Sequence, residues 1–123
     1  MRPDPSEALE PGRVAWANLD PPTGREQGGH RPVVVVASPQ CLAAVDALAL
    51  IVPLTTRDRG WPNHVPISGS TGLPTASWAM TEQLRCISRK RITSLAGTVD
   101  AATLTELRDW LGDHLDFELD SSR

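Results

Sequence analysis

Apolar and polar positions follow two rhythms along this 123-residue chain, one of short strand-like runs up to Val99 and one of helical spacing from Asp100 onward. Arg13 to Leu19 alternates, which sets Val14, Trp16 and Asn18 on one side of a strand. Val33 to Val36 is an unbroken β-branched run. It predicts a strand over Val33 to Ser38 buried on both faces, with Pro32 at the entrance, where a missing N–H does least harm. Pro39 to Asp46 reads either as a helical turn capped by Ser38 or as a plain connection. Leu48 to Leu54 is the next apolar strand, closed by Thr55 and Thr56, and Arg57 to Asn63 is a polar, turn-forming loop. Shorter strands follow at His64–Ile67, Ser77–Met80, Leu84–Ser88 and Ile92–Val99, with Ser68 to Pro74 as a loop between them. Leu104, Leu107, Leu111 and Leu115 then recur every three or four residues beside Trp110, while Glu106, Arg108, Asp109 and Asp113 take the opposite face of an amphipathic helix. Thr103 with Glu106 fits a capping box, and Asp100 competes as a cap one turn earlier. Short strands at close spacing with one terminal helix predict a mainly β fold, a small, strongly bent antiparallel sheet or barrel.

Length and tails divide the chain simply. One domain is expected over 11–116, with a frayed polar tail at 1–10 and a disordered acidic tail at 117–123. No apolar run approaches the roughly 20 residues that span a bilayer, and the N-terminus lacks an apolar signal region, so a soluble cytoplasmic protein without a membrane partner is expected. Cys41 and Cys86 read as free thiols.

A formal charge of −3 argues against a polyphosphate substrate until its distribution is considered. Arg2 against Asp4, Glu7 and Glu10 leaves residues 1–10 at −2, and two arginines against seven acids leave residues 100–123 at −5; the span between them therefore holds +4. A cationic middle suits a phosphate backbone.

Chemistry concentrates between Asp20 and Val36. Prolines and glycines mark a mobile loop from Pro21 to Gly29, carrying Glu26 and Gln27 and leading to His30 and Arg31. An arginine at the first residues of a buried strand, beneath such a loop, makes an anion-binding site. No lysine-bearing phosphate loop, zinc-ligand spacing or nucleophile elbow is present, which points to chemistry without metal or cofactor. Plainer readings stand beside each residue. A lone strand-edge arginine is ordinarily a salt-bridge residue, Thr55 and Thr56 are ordinary β-formers, and His30 points away from Arg31 if the strand has begun. His64 and His114 read as isolated and exposed, and Trp16, Trp78 and Trp110 as core. Trp61, in its polar loop, would stack on a base or pack against a neighbouring subunit. Arg85, Arg89, Lys90 and Arg91 either track phosphates or form a solvated face.

Three blocks carry a resemblance. Val14 to Ser38, with Leu19-Asp20-Pro21, Gly24-x-Glu26-Gln27 and Gly29-His30-Arg31-Pro32-Val33-Val34-Val35, resembles the opening of the MazF/PemK (Kid-like) toxins. Val52-Pro53-Leu54-Thr55-Thr56 with Gly60-Trp61-Pro62 resembles the next strand and loop, and Trp78-Ala79, Gln83 to Ile87 and Gly97-Thr98-Val99 the remainder. The resemblance implies the SH3-like small barrel of the MazF/PemK/CcdB type, usually a homodimer, acting as the mRNA interferase of a type II toxin–antitoxin pair. It implies metal-independent, sequence-selective cleavage of single-stranded RNA by ribose 2′-OH attack, leaving a 2′,3′-cyclic phosphate and a 5′-OH. Arg31 and Thr55 match the family's catalytic arginine and threonine. A guanidinium is a poor base, so Arg31 is expected to stabilise charge on the phosphate. Glu26 and His30 are alternative proton carriers, with Glu26 otherwise orienting Arg31. Gln83 matches a position near the family's RNA groove, and Gln27, His30, Thr56, Arg57, Trp61 and Arg85 complete the expected RNA contacts. The implied partner is an antitoxin whose disordered segment folds over the site, with the Pro21–Gly29 loop as the control point. The alternatives are a non-enzymatic, CcdB-like gyrase-inhibiting toxin and a catalytically dead binding module on the same barrel.

Overall fold

The computed structural model describes residues 4–20 and 28–116. Glu26 and Gln27, most of the expected mobile loop and the expected C-terminal tail lie outside them. Seven strands and two helices are assigned: β1 (Arg13–Asn18), β2 (His30–Val35), α1 (Pro39–Ala44), β3 (Leu48–Thr55), β4 (His64–Pro66), β5 (Trp78–Met80), β6 (Arg85–Ser88), β7 (Ile92–Thr98) and α2 (Ala101–His114). The sheet runs β4-β5-β3-β2-β1-β7, with β6 also on β3, and all its pairings are antiparallel. In the segment read as an N-terminal tail, Pro5–Ala8 form a 3-10 turn and Leu9 packs on the core.

Two cores follow from strand alternation. Val33, Val35, Ile51 and Ile87 point to one face with Ala15 and Ala17. Val14, Val34, Val52 and Leu54 point to the other, where Leu107 of α2 covers them. The alternation read from the sequence thus holds on both faces, and β2 and β3 are buried on both because each face has its own core.

β3 carries a proline in mid-strand, which ordinarily argues against a central position. The break opposite it explains the tolerance. β6 pairs with Leu48 to Ile51 and β5 with Leu54 and Thr55, along the same edge of β3. Between β5 and β6 the chain leaves the ladder in a 3-10 turn, Thr81–Gln83. Pro53 falls at that interruption, so its missing N–H breaks no ladder bond.

The ladder is open, with β4 and β7 at its edges, so the fold is barrel-like rather than a fully hydrogen-bonded barrel. A seam bridges the gap. The chain leaving β4 runs along β7, where Thr98 N–H donates to the Ser70 carbonyl (2.9 Å) and Asp100 N–H to the Ser68 carbonyl (2.8 Å). Gly97 permits this approach, because a Cβ there would sit 2.1 Å from the Ser70 carbonyl oxygen. Past the seam, Asp100 caps α2 by accepting from Thr103 N–H (2.9 Å), which decides between the two candidate caps. The Thr103 hydroxyl is buried instead, and accepts from Ser68 N–H (3.3 Å). Ser38 caps α1, so Pro39–Ala44 is a helical turn.

Candidate active site

The candidate site is assembled by the strand register. Val33 pairs with Pro53, Val34 with Val52 and Val35 with Ile51. Continued by two residues, that register sets Arg31 opposite Thr55, and directly opposed residues of an antiparallel pair share a face. Ala17 flanks Arg31 from β1, and Arg85 pairs with Ile51 on the same face. Arg31, Thr55 and Arg85 therefore belong to one side of the sheet, the side opposite α2.

β2 begins at His30, three residues earlier than the apolar run suggests, so Arg31 is a strand residue with a fixed direction. Its Nε donates to the Gly28 carbonyl (2.8 Å). Among the described residues its two terminal nitrogens have no hydrogen-bond partner. That leaves a half-buried, planar pair of donors held by the backbone and aimed by the strand, the arrangement that binds two oxygens of a phosphate. Thr55 is buried, and its Oγ1 accepts from Arg57 N–H (3.1 Å). The hydroxyl proton keeps no acceptor among the described residues and is available to donate to an anion.

The neck of the expected mobile loop is tied from three directions. Gly29 N–H donates to Asp20 Oδ1 (2.6 Å), Leu19 N–H donates to the Gly29 carbonyl (2.8 Å), and Arg91 donates to the carbonyls of Asn18 and Asp20. Gly29 has φ +79°, the left-handed region that favours glycine. Arg89 is likewise committed to backbone, donating to the Leu42, Val45 and Leu48 carbonyls around the end of α1. Of the basic cluster read from the sequence, Arg89 and Arg91 thus have structural roles. Arg85 lies on the Arg31 face.

His30 occupies the opposite side, as strand alternation requires. Its ring stacks on Trp16 at 5.4 Å and its Nε2 lies 2.7 Å from Thr93 Oγ1. Trp16 and Trp78 are half-buried rather than core, and Trp110, also half-buried, packs against the second core. Thr56, Arg57 and Trp61 are exposed along the loop leaving Thr55, and Gln83 is half-buried in the turn before Arg85, its amide 3.8 Å from the Met80 sulfur. Cys41 and Cys86 are free.

His64 corrects the sequence reading. It is buried, 4% exposed, with Nε2 3.0 Å from both carboxylate oxygens of Glu82. His114 is exposed but not isolated, since its Nε2 lies 2.8 Å from Thr81 Oγ1. The only sequence signal was the position of His64 at the head of an alternating run; Glu82, on a turn outside the ladder, gave none.

Comparison with known proteins bears on this geometry. Residues 10–115 match the model of the PemK-like, MazF-like toxins of type II toxin–antitoxin systems. The chain is 37% identical over 89 residues to the endoribonuclease toxin MazF of Escherichia coli, covering 72% of this chain and 77% of the relative. It is 34% identical over 111 residues to endoribonuclease MazF9 of Mycobacterium tuberculosis, covering 85% and 94%. The crystal structure of MazF (Form-I) from Deinococcus radiodurans superposes with a TM-score of 0.78 at 27% identity, over 89% of this chain and 97% of that one. A mycobacterial endoribonuclease, solved in complex with its cognate antitoxin, shares the fold with a TM-score of 0.74 at 21% identity, over 92% and 100%.

Proposed function

The chain belongs to the PemK-like, MazF-like toxins of type II toxin–antitoxin systems and is an endoribonuclease of that family; from this premise we propose that it cuts single-stranded RNA at selected sequences, on the sheet face that carries Arg31 and Thr55. The observation that carries the assignment is the Arg31 guanidinium, pinned through Nε while its terminal donors have no partner among the described residues, on the same sheet face as a threonine hydroxyl whose proton has no acceptor among them. These are the parts an RNA-cleaving site needs on its phosphate side. The ribose 2′-OH supplies the nucleophile, and the protein stabilises the pentacovalent anion as charge builds on its oxygens. Arg31 spans two of those oxygens and Thr55 donates to the same group. Arg85, on the same face, adds positive charge along the strand's path. The products are a 2′,3′-cyclic phosphate and a 5′-OH.

Glu26 and His30 share the proton-carrying assignment in this reading. Alternation puts His30 on the other side of β2 from Arg31, which favours Glu26 as the proton carrier. Gln27, Thr56, Arg57, Trp61 and Gln83 are assigned to RNA contacts. Cleavage is assigned without a metal, and no three His, Cys, Asp or Glu side chains cluster to hold one among the described residues. The gyrase-inhibitor alternative is not favoured, because the curated relatives are endoribonucleases. A homodimer in the cytoplasm, restrained by a cognate antitoxin, completes the proposal; no helix among the described residues is long and apolar enough to cross a membrane.

The test is direct. Purified protein is incubated with a long RNA in excess EDTA, and the new 5′ ends are mapped and their terminal chemistry determined. Cuts at a recurring short sequence, with 5′-OH termini, are expected. Activity that EDTA abolishes and magnesium restores would overturn the mechanism.

A further inference from the structure

His64, buried, and Glu82, exposed and 18 residues away in sequence, form a pair that the cleavage chemistry does not use. His64 Nε2 faces the Glu82 carboxylate and so carries the proton. That leaves Nδ1 a buried nitrogen without a hydrogen-bond partner among the described residues. The surroundings hold the pair firmly. Asn63 Nδ2 donates to Glu82 Oε1 (2.8 Å). Thr81, next in the chain and 1% exposed, gives its hydroxyl proton to the Asn63 carbonyl (2.7 Å) and accepts from Asn63 Nδ2 (3.3 Å) and His114 Nε2 (2.8 Å). The hydroxyl is thereby saturated, with its one proton and both lone pairs in use. The turn bearing Glu82 is tied to the loop before β4 and to the end of α2.

Trp61 is what this scaffold supports. Its ring lies 4.7 Å from the His64 ring, and the Arg59 guanidinium lies over it at 5.7 Å. Yet 47% of the residue remains exposed. A large aromatic side chain held from below and left open to solvent is a preorganised stacking surface. The loop that carries it starts at Thr55, so the surface and the phosphate-binding pair are joined by one short connection.

We propose that Trp61 is the stacking platform for one unpaired base of the RNA, and that His64 and Glu82 are its positioning residues, which makes this trio a determinant of RNA affinity. The inference rests on the ribonuclease reading and adds to it. Stacking on an aromatic side chain is worth on the order of tenfold or more in affinity per base.

The experiment uses the full chain, with Trp61→Ala, Trp61→Phe, Glu82→Ala, Glu82→Gln and the double variant Trp61→Ala/Glu82→Ala, each checked for folding by near-ultraviolet circular dichroism. Two readouts are taken: anisotropy of a labelled RNA made uncleavable by 2′-O-methylation, and the map of cuts in a long RNA. Trp61→Ala should weaken binding about tenfold and reduce cutting at every site of the map. Glu82→Ala should do the same to a lesser degree, and Trp61→Phe and Glu82→Gln should recover most of the loss. The double variant should be no worse than Trp61→Ala, because residues acting as a unit are not additive. Additive losses, or an unchanged binding constant and cut map in Trp61→Ala, overturn the platform while RNA cleavage itself stands. A change of oligomeric state in Trp61→Ala in place of a binding change assigns Trp61 to a subunit contact and also overturns it. A parental protein that neither cuts nor binds RNA overturns the underlying reading instead.

Discussion

Arg31 and Thr55 lie on one face of the sheet, each two residues beyond the Val33–Pro53 pair at which the β2–β3 pairing ends. The pair is placed by the two most deeply buried strands of the sheet, and a site built on such strands keeps its geometry better than one built on loops.

Replacing Arg31 with Ala should therefore lower the rate of RNA cleavage by on the order of 100-fold or more, the usual cost of losing one preorganised donor to developing charge. Folding should be unaffected, because the side chain has one backbone bond and no buried ion pair among the described residues. Arg31→Lys should recover little, since a point charge does not span two oxygens. Cleavage by Arg31→Ala at the parental rate and pattern would refute the assignment.

Thr55→Val keeps the β-branched shape and removes only the hydroxyl. We expect a rate loss of about tenfold or more, with Thr55→Ser restoring much of it. The unfolding midpoint of the valine variant should also fall slightly, as Arg57 N–H loses its acceptor. A variant that is destabilised but fully active would make Thr55 a turn residue only.

Gly97→Ala is expected to be among the most damaging single methyl additions in the chain. Its Cβ would meet the Ser70 carbonyl oxygen at 2.1 Å and the Thr71 carbonyl carbon at 2.5 Å, both backbone atoms that have no rotamer to move into. The seam must open or the variant must fail to fold. A thermal midpoint within a few degrees of the parent would show that the approach is looser than described.

The Asp100 cap predicts a dependence on pH. Hydrogen bonds from the Thr103 side chain and then its backbone N–H hold the Asp100 carboxyl below its ordinary value of 3.8. A lowered folded value stabilises the fold at pH above 3.8, and the contribution disappears as the pH falls through the folded value. Asp100→Ala should lower the midpoint by on the order of 3–5 °C at pH 7, with the difference from the parent narrowing below about pH 4. A gap that persists at pH 2 would assign the effect to something other than the ionised cap.

How much of this was legible beforehand depends on the range of the signal. Val33–Val36 and Leu48–Leu54 declare buried strands on their own, and Leu104, Leu107 and Leu111 declare a helix, because burial imposes a period on local sequence. Arg31 and Thr55 stood out once those strands and the family blocks were in place. The start of β2 at His30 was hidden, since Pro32 looks like an entrance and becomes an interior residue only through pairing with Trp16. The sequence offered two caps for α2; only the seam, which uses the Thr103 hydroxyl, decides for Asp100. His64 was misread for a similar reason. Its partner is a carboxylate on a turn that leaves the ladder, and no local pattern announces such a partner.

The seam between Ser68–Ser70 and β7 also bears on how the protein is made. The β2–β3 hairpin that places Arg31 and Thr55 contains only residues up to 55, so it leaves the ribosome early in synthesis. Thr98 and Asp100, which the seam needs, emerge in the last quarter of the 123-residue chain. Contacts between distant parts of a chain form late, after loop closure becomes possible. A nascent chain thus displays Arg31 and Thr55, the proposed phosphate-binding pair, before the residues that close the seam have been made.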